Sequence, residues 1–279
     1  MGDINWNEID RLAKLWIKQA GEKILLSFSE QVKVDHKEGP DDLVTDMDRR
    51  TEQFFIERIH QHFPDHRILG EEGYGDDISS ADGTLWIIDP IDGTMNFVHQ
   101  QCNFAISIGV FHNGVGQIGL IYDVASDELF HCVKGQGAYV NSKPLEKRKP
   151  VAIEQSIIGL NATWVTKNRR IDPDILAPLV RKVRGTRSYG SAATELAYIA
   201  AGRMDAYFSM RLAPWDFAAG LVLLEEVGAV MTRADGRPVD LLKQNSIFAG
   251  EAELHRGILE GYVQKGIDQG MYINDGPLS

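Results

Sequence analysis

The chain has 279 residues, with 29 Lys and Arg against 40 Asp and Glu, a net charge of −11. That balance argues against a general nucleic-acid binder, which needs a basic surface to displace counterions. Without a run of about 18 apolar residues or a basic-then-apolar start, neither a membrane span nor a signal peptide is expected.

In chain order, Ile9, Leu12, Ala13, Trp16, Ile17, Ala20 and Ile24 recur at helical steps and predict an amphipathic helix. A polar stretch, 31–42, follows, with Gly39-Pro40 as a turn signal. A second helix is expected from Asp46, its N-cap on this reading, through Phe54, Phe55, Ile59 and Phe63 to Pro64. Ile68-Leu69 reads as a short strand running into Gly70-Glu71-Glu72-Gly73, and the acidic loop 74–83 as mobile. Leu85-Trp86-Ile87-Ile88 reads as a buried strand ending at Asp89-Pro90. Residues 103–139 carry short β-rich runs broken by glycines, the pattern of an antiparallel meander. Beyond it, strands are expected at 156–160, 205–210, 229–231 and 247–249. Helices are expected at 173–183, 191–201, 217–227 and 251–265, with Gly202 and Gly228 as stops. Residues 266–279 read as a fraying tail. The KPLEKRKP stretch before Val151 marks the expected division into 1–150, 151–266 and the tail 267–279. Cys102 and Cys132 are too few for a disulfide framework and read as reduced, cytoplasmic thiols.

The chemistry concentrates in Trp86-Ile87-Ile88-Asp89-Pro90-Ile91-Asp92-Gly93-Thr94. An apolar strand delivers two carboxylates, three apart, at its end; Pro90 stiffens the turn and Gly93 allows a tight bend. A helix starting at Thr94 would point free N–H groups at an anion such as phosphate. Carboxylates beside a phosphate make sense with cations between them, and hard oxygen donors without a His or Cys pair select Mg²⁺. Further acids fall at element ends: Glu71 and Glu72, Asp46 and Asp48, and Asp216 in Pro214-Trp215-Asp216. Taken singly, Asp46 and Asp216 read as helix caps.

Taken together and in this order, DLVTDMD, GEEG, WIIDPIDGTMNF and PWDFAAG resemble the inositol monophosphatase family of Mg²⁺-dependent, lithium-sensitive phosphatases over residues 42–250. The resemblance implies an α+β, five-layer αβαβα sandwich, assembled as a cytoplasmic homodimer. It implies that Glu71, Asp89 and the carbonyl of Ile91 hold a first Mg²⁺, and that Asp89, Asp92 and Asp216 hold a second. A third, weaker ion would involve Glu71. Asp48 and Thr94 would orient and deprotonate the water that attacks phosphorus in line, and the N–H groups of Gly93 and Thr94 would receive phosphate oxygens. Gly190, Ser191 and Ala192 would lie beside the substrate, with Asp216 and Ser209. Inositol-preferring members carry Glu where this chain has Ser209, so the pattern departs at the contact to ring hydroxyls. The expected substrate is of the inositol 1-phosphate type. The alternatives are NADP, fructose 1,6-bisphosphate or 3′-phosphoadenosine 5′-phosphate, or a regulatory binding protein on the same fold. A basic excess (Lys167, Arg169, Arg170, Arg181, Lys182, Arg184, Arg187) reads mainly as a solvated face. One or two of these, or Lys37, could still reach substrate.

Overall fold

A computed structural model describes residues 4–28, 34–36 and 43–275. Lys37, the Gly39-Pro40 turn, Asp42 and the last four residues lie outside the described residues.

Helix α1 (Trp6–Ser27) buries the stripe from Ile9 to Ile24. A short antiparallel pair follows, β1 (Val34–His36) with β2 (Leu43–Thr45). Strands of three residues are too short to show a period in the sequence. Helix α2 (Asp46–His62) buries Met47, Phe54, Phe55 and Ile59. Next come β3 (Arg67–Gly70), β4 (Thr84–Asp92), helix α3 (Thr94–Gln100), then β5 (Ala105–His112), β6 (Val115–Asp123), β7 (Glu128–Val133), β8 (Ala138–Val140) and β9 (Lys143–Pro144). These strands make a seven-stranded sheet in chain order, antiparallel except for the parallel pair β3–β4.

The rest of the chain builds a five-stranded mixed sheet, ordered β11-β10-β12-β14-β13. Its elements in sequence are β10 (Ile157–Leu160), α4 (Pro173–Lys182), β11 (Gly185–Arg187), α5 (Ala192–Ala200), β12 (Ala206–Leu212), α6 (Pro214–Glu226), β13 (Ala229–Thr232), β14 (Asn245–Glu251) and α7 (Ala252–Ile258).

Strand alternation explains the layering. On β4, Trp86 and Ile88 face α1 and α2, while Leu85 and Ile87 face α5 and α6. Both faces are covered, which is why the strand reads as an unbroken apolar run. The middle helices meet Tyr207, Ile247 and Ala249 of the second sheet on their other side. Ile158, Phe208 and Phe248 face outward from that sheet against α4 and α7. The result is five layers, αβαβα, with α6 apolar all round because it has a sheet on each side. Glycines seat it closely: a Cβ at Gly119 would stand 2.6 Å from the Ala219 carbonyl oxygen, and one at Gly116 2.7 Å from a Val222 methyl.

Three expectations need correction. Helix α6 begins at Pro214 rather than 217, because proline suits the first helical turn, where its missing N–H is not needed. The last helix changes to a π-helical turn at Leu259–Gln264 after α7. The tail is docked as far as Asp275: Ile273 bridges Ile171, and the Ser246 N–H donates to Asp275 at 2.6 Å.

Candidate active site

Strand β4 continues past Asp89 to Asp92, further than its apolar run reaches. Its pairing with β5 runs regularly to Asp89↔Ser107 and resumes at Asp92↔Ala105. Two residues on one strand, Pro90 and Ile91, thus oppose one on the other, Ile106, a bulge where proline has no N–H to give the ladder. In a regular strand, residues three apart point to opposite faces. The inserted residue restores the phase, so Asp89 and Asp92 come together. One carboxylate oxygen from each, and one from Asp216, all lie within 4.8 Å of one another.

Asp216 comes from the first turn of α6. One of its oxygens accepts the Ala213 N–H at 2.8 Å, and Ser107 donates to the Trp215 carbonyl at 3.1 Å, tying that turn to β5. Asp216 is therefore the third helical residue reaching back to the N-cap, not the cap itself. Asp48 repeats this arrangement. The cap of α2 is Thr45, not Asp46, and Asp48 accepts the Thr45 N–H at 2.8 Å. Asp46 is the first helical residue, with Arg49 3.8 Å away. In both turns the cap orients a carboxylate whose second oxygen is left for the site. For Asp48 that oxygen accepts from the Thr94 hydroxyl at 3.2 Å. The same hydroxyl lies 3.1 Å from the carbonyl of Ile91. One proton cannot serve both acceptors, so engaging the Ile91 carbonyl elsewhere would commit Thr94 to Asp48.

Gly93 holds φ 91°, a left-handed conformation costly for other residues, and it caps α3, which starts at Thr94 as expected. Asp92 accepts from the Ser191 hydroxyl at 2.5 Å and the Ala193 N–H at 2.7 Å, which fixes the start of α5 to the acid cluster. Glu71 follows β3. It sits at hydrogen-bonding reach of Asp89, outside the tight three-acid group.

Asp89 is 1% exposed and Asp48 1%. Burial holds the Asp89 and Asp216 carboxyls well above the usual range, and the neighbouring acids add to it. Burial also lifts Asp92 to about 6, against the pull of Ser191 and Ala193, and Asp48 to about 7. At 4–5 Å, each ionised pair would repel by roughly 3–4 kcal/mol at an effective dielectric near 20. Hard-oxygen carboxylates converging on one point, with their charge disfavoured, fit a small divalent cation such as Mg²⁺.

Beside the cluster lies a cleft of about 280 Å³, lined by Ser191, Ala192, Gly190, Ser209, Glu195 and Tyr207 among others. Of the expected substrate residues, Gly190, Ser191, Ala192, Ser209 and Asp216 line it; Gly93 and Thr94 do not. Asn161, Thr163 and Trp164 on the turn after β10 also line it, as does Ser188, and none of these four was anticipated. No motif marks them; Asn161 accepts from the Thr163 N–H at 2.9 Å. None of the seven basic residues lines the cleft, and Lys182 pairs with Glu154 at 3.1 Å. Both cysteines are free; Cys132 is buried, whereas Cys102 is partly exposed.

A sequence model of the inositol monophosphatase family matches residues 5–266. An inositol-1-monophosphatase of Bacillus subtilis is 60% identical over 259 residues, covering 93% of this chain and 98% of its own. The crystal structure of a staphylococcal inositol monophosphatase II with bound 2′-AMP superposes with TM-score 0.86 at 42% identity, covering 94% of this chain and 96% of that one. An inositol monophosphatase/NADP phosphatase complexed with Mg²⁺ and phosphate gives 0.83 at 28% identity, over 91% and 95%.

Proposed function

This chain belongs to the inositol monophosphatase family, and from that premise we propose that it hydrolyses phosphomonoesters of the inositol 1-phosphate type with Mg²⁺ as cofactor. The observation that carries the reading is the buried convergence of Asp89, Asp92 and Asp216 beside a polar cleft. Asp89, Asp92, Asp216, Glu71 and the Ile91 carbonyl would hold two Mg²⁺ ions, with a third at Glu71. Bound Mg²⁺ supplies Lewis acidity and offsets the repulsion among the acids.

The chain's own groups do the rest. Thr94 aligns the attacking water for in-line displacement, and Asp48, in hydrogen-bond contact with Thr94, takes its proton. The raised pKa of Asp48, about 7, suits a base that must take up and release a proton near neutrality. Phosphate oxygens meet the N–H groups of Gly93 and Thr94. The alcohol portion lies along Gly190, Ser191, Ala192 and Ser209. No side-chain nucleophile is required, so hydrolysis is direct.

Ser209 favours a second reading, a broader phosphomonoesterase that also accepts nucleotide or sugar phosphates. A relative solved with 2′-AMP bound and another named as an NADP phosphatase lend it support. We further propose lithium inhibition through the Asp89–Asp92–Asp216 site and, from family membership, a cytoplasmic homodimer. Among the described residues, no helix is long and apolar enough to cross a membrane.

The test is phosphate release from inositol 1-phosphate, fructose 1,6-bisphosphate, NADP and 3′-phosphoadenosine 5′-phosphate, with and without Mg²⁺. Asp89→Asn is expected to abolish turnover while leaving the fold intact, and to raise the thermal midpoint of the metal-free protein near neutral pH, because the amide need not take up a proton to be buried. Near-wild-type turnover in Asp89→Asn would falsify the assignment.

A further inference from the structure

We propose that Glu52 and Glu195 are positioning residues, each clamping one of the two loops that complete the site: Glu52 the loop of Glu71, and Glu195 the loop of Ser191. The proposal rests on the reading of the site given above and assigns a role to two glutamates which that reading leaves unused. Glu52 projects from α2 and is fully buried. One of its oxygens accepts the Glu72 N–H at 2.7 Å and the other the Tyr74 N–H at 2.9 Å, so both are occupied by the turn that carries Glu71. Glu195 projects from α5 and is 3% exposed. A single oxygen accepts the Tyr189 N–H at 2.7 Å and the Gly190 N–H at 3.4 Å; its second oxygen is buried without a hydrogen-bond partner.

Each clamp has a glycine notch. A Cβ at Gly70 would stand 2.4 Å from the Glu52 carboxyl, and one at Gly159 2.3 Å from the unpartnered Glu195 oxygen. The notches are tight enough that adding a methyl group must displace the carboxyl. Burying a carboxyl is costly unless its hydrogen bonds are made. Glu52 meets that condition with both oxygens and Glu195 with one, and both face the same site from different helices.

The two clamps differ in a way that makes the proposal testable. Glu52 uses both oxygens, so an amide in its place would set an NH₂ donor against a backbone N–H. Glu195 uses one oxygen, so an amide preserves its working half. Glu52→Gln is expected to raise the Mg²⁺ concentration for half-maximal activity about tenfold, the effect of one lost buried hydrogen bond, with KM at saturating Mg²⁺ changed less than twofold. It should also shrink the Mg²⁺-induced rise in thermal midpoint, a readout independent of turnover. Gly70→Ala should reproduce both effects without touching an acid. Glu195→Ala is expected to raise KM about tenfold while Mg²⁺ activation stays put, and Glu195→Gln should recover most of kcat/KM. Folding of each variant is checked by circular dichroism and cooperative unfolding.

The proposal is overturned if folded Glu52→Gln shows wild-type Mg²⁺ dependence in both readouts, or if Glu195→Gln is as impaired as Glu195→Ala. A wild-type chain that binds Mg²⁺ but releases no phosphate sinks the functional reading instead, and the thermal shift with Glu52→Gln and Gly70→Ala still decides the clamp on Glu71.

Discussion

On the proposed mechanism, Thr94 and Ser209 are the residues on which rate and selectivity turn. The Thr94 hydroxyl sits between two acceptors, Asp48 at 3.2 Å and the Ile91 carbonyl at 3.1 Å, and contributes alignment rather than binding area. Positioned proton transfer is worth about 10²–10⁴-fold. Thr94→Ala should therefore lower kcat by that order while KM moves little; a rise confined to KM would assign Thr94 to substrate instead. Ser209 lines the cleft with a short neutral side chain beside Tyr207. A buried carboxylate at this position would reject alcohols that cannot donate to it, at roughly 1–3 kcal/mol for an unmatched polar group. Ser209→Glu should shift kcat/KM toward inositol 1-phosphate and away from NADP by roughly 10- to 100-fold. Strict selectivity for inositol 1-phosphate in the unsubstituted enzyme would show that another residue supplies the missing contact.

Among the elements, α6 carries a tight packing constraint, because it must lie close to both sheets while presenting Asp216. The approach of β6 depends on Gly119, where a Cβ meets the Ala219 carbonyl oxygen at 2.6 Å and Val222 Cβ at 3.2 Å. Overpacking of this kind costs about 1–3 kcal/mol. Gly119→Val should lower stability by that amount and, by tilting the helix start, weaken Mg²⁺ activation as well. A urea titration gives the first effect and a Mg²⁺ titration the second; an unchanged denaturation midpoint would show that the helix yields freely. Amphipathic α1, the meander and the strand-to-helix turn at Gly93 were legible in the sequence because apolar period and glycine placement determine them locally. The bulge at Pro90-Ile91 was not, since a one-residue slip in pairing shows only against the partner strand. Nor were the caps: Thr45, not Asp46, takes the cap because its hydroxyl reaches the N–H groups of Met47 and Asp48, while Asp48 returns to Thr45. The three acids that converge, Asp89, Asp92 and Asp216, were legible through their motifs. The role of Glu52 was not, because a glutamate in the middle of an amphipathic helix reads as solvated surface until its fold neighbours are known.

At the scale of the whole molecule, the buried acids couple stability to pH and to metal. Asp89 and Asp216 are held well above the usual carboxyl range, Asp92 reaches about 6, and Asp48 and Glu195 about 7. In the unfolded chain these groups lose their protons near pH 4. Between pH 4 and the folded values the native state holds more protons than the unfolded state, so its stability falls as pH rises. Each excess proton is worth about 1.4 kcal/mol per pH unit. Histidine opposes this at the acid end: burial pushes His255 down to about 4, so the native state gains stability from it up to about pH 6.5, where unfolded histidine is losing its proton. The clean window therefore opens above pH 6.5. From pH 6.5 to 8.5 the metal-free protein should lose thermal stability. Saturating Mg²⁺ should offset most of that loss, because a cation at Asp89, Asp92 and Asp216 replaces their protons and binds more tightly as those protons leave. Glu195 is outside the cluster, so its share of the slope should persist with Mg²⁺ present and disappear in Glu195→Gln. Thermal unfolding at four pH values, with chelator and with Mg²⁺, separates the two contributions. A metal-free midpoint that rises over this window, or a Mg²⁺ shift of equal size at both ends, would mean that these carboxyls are already ionised in the empty site and that repulsion among them is offset by something other than a proton or a cation.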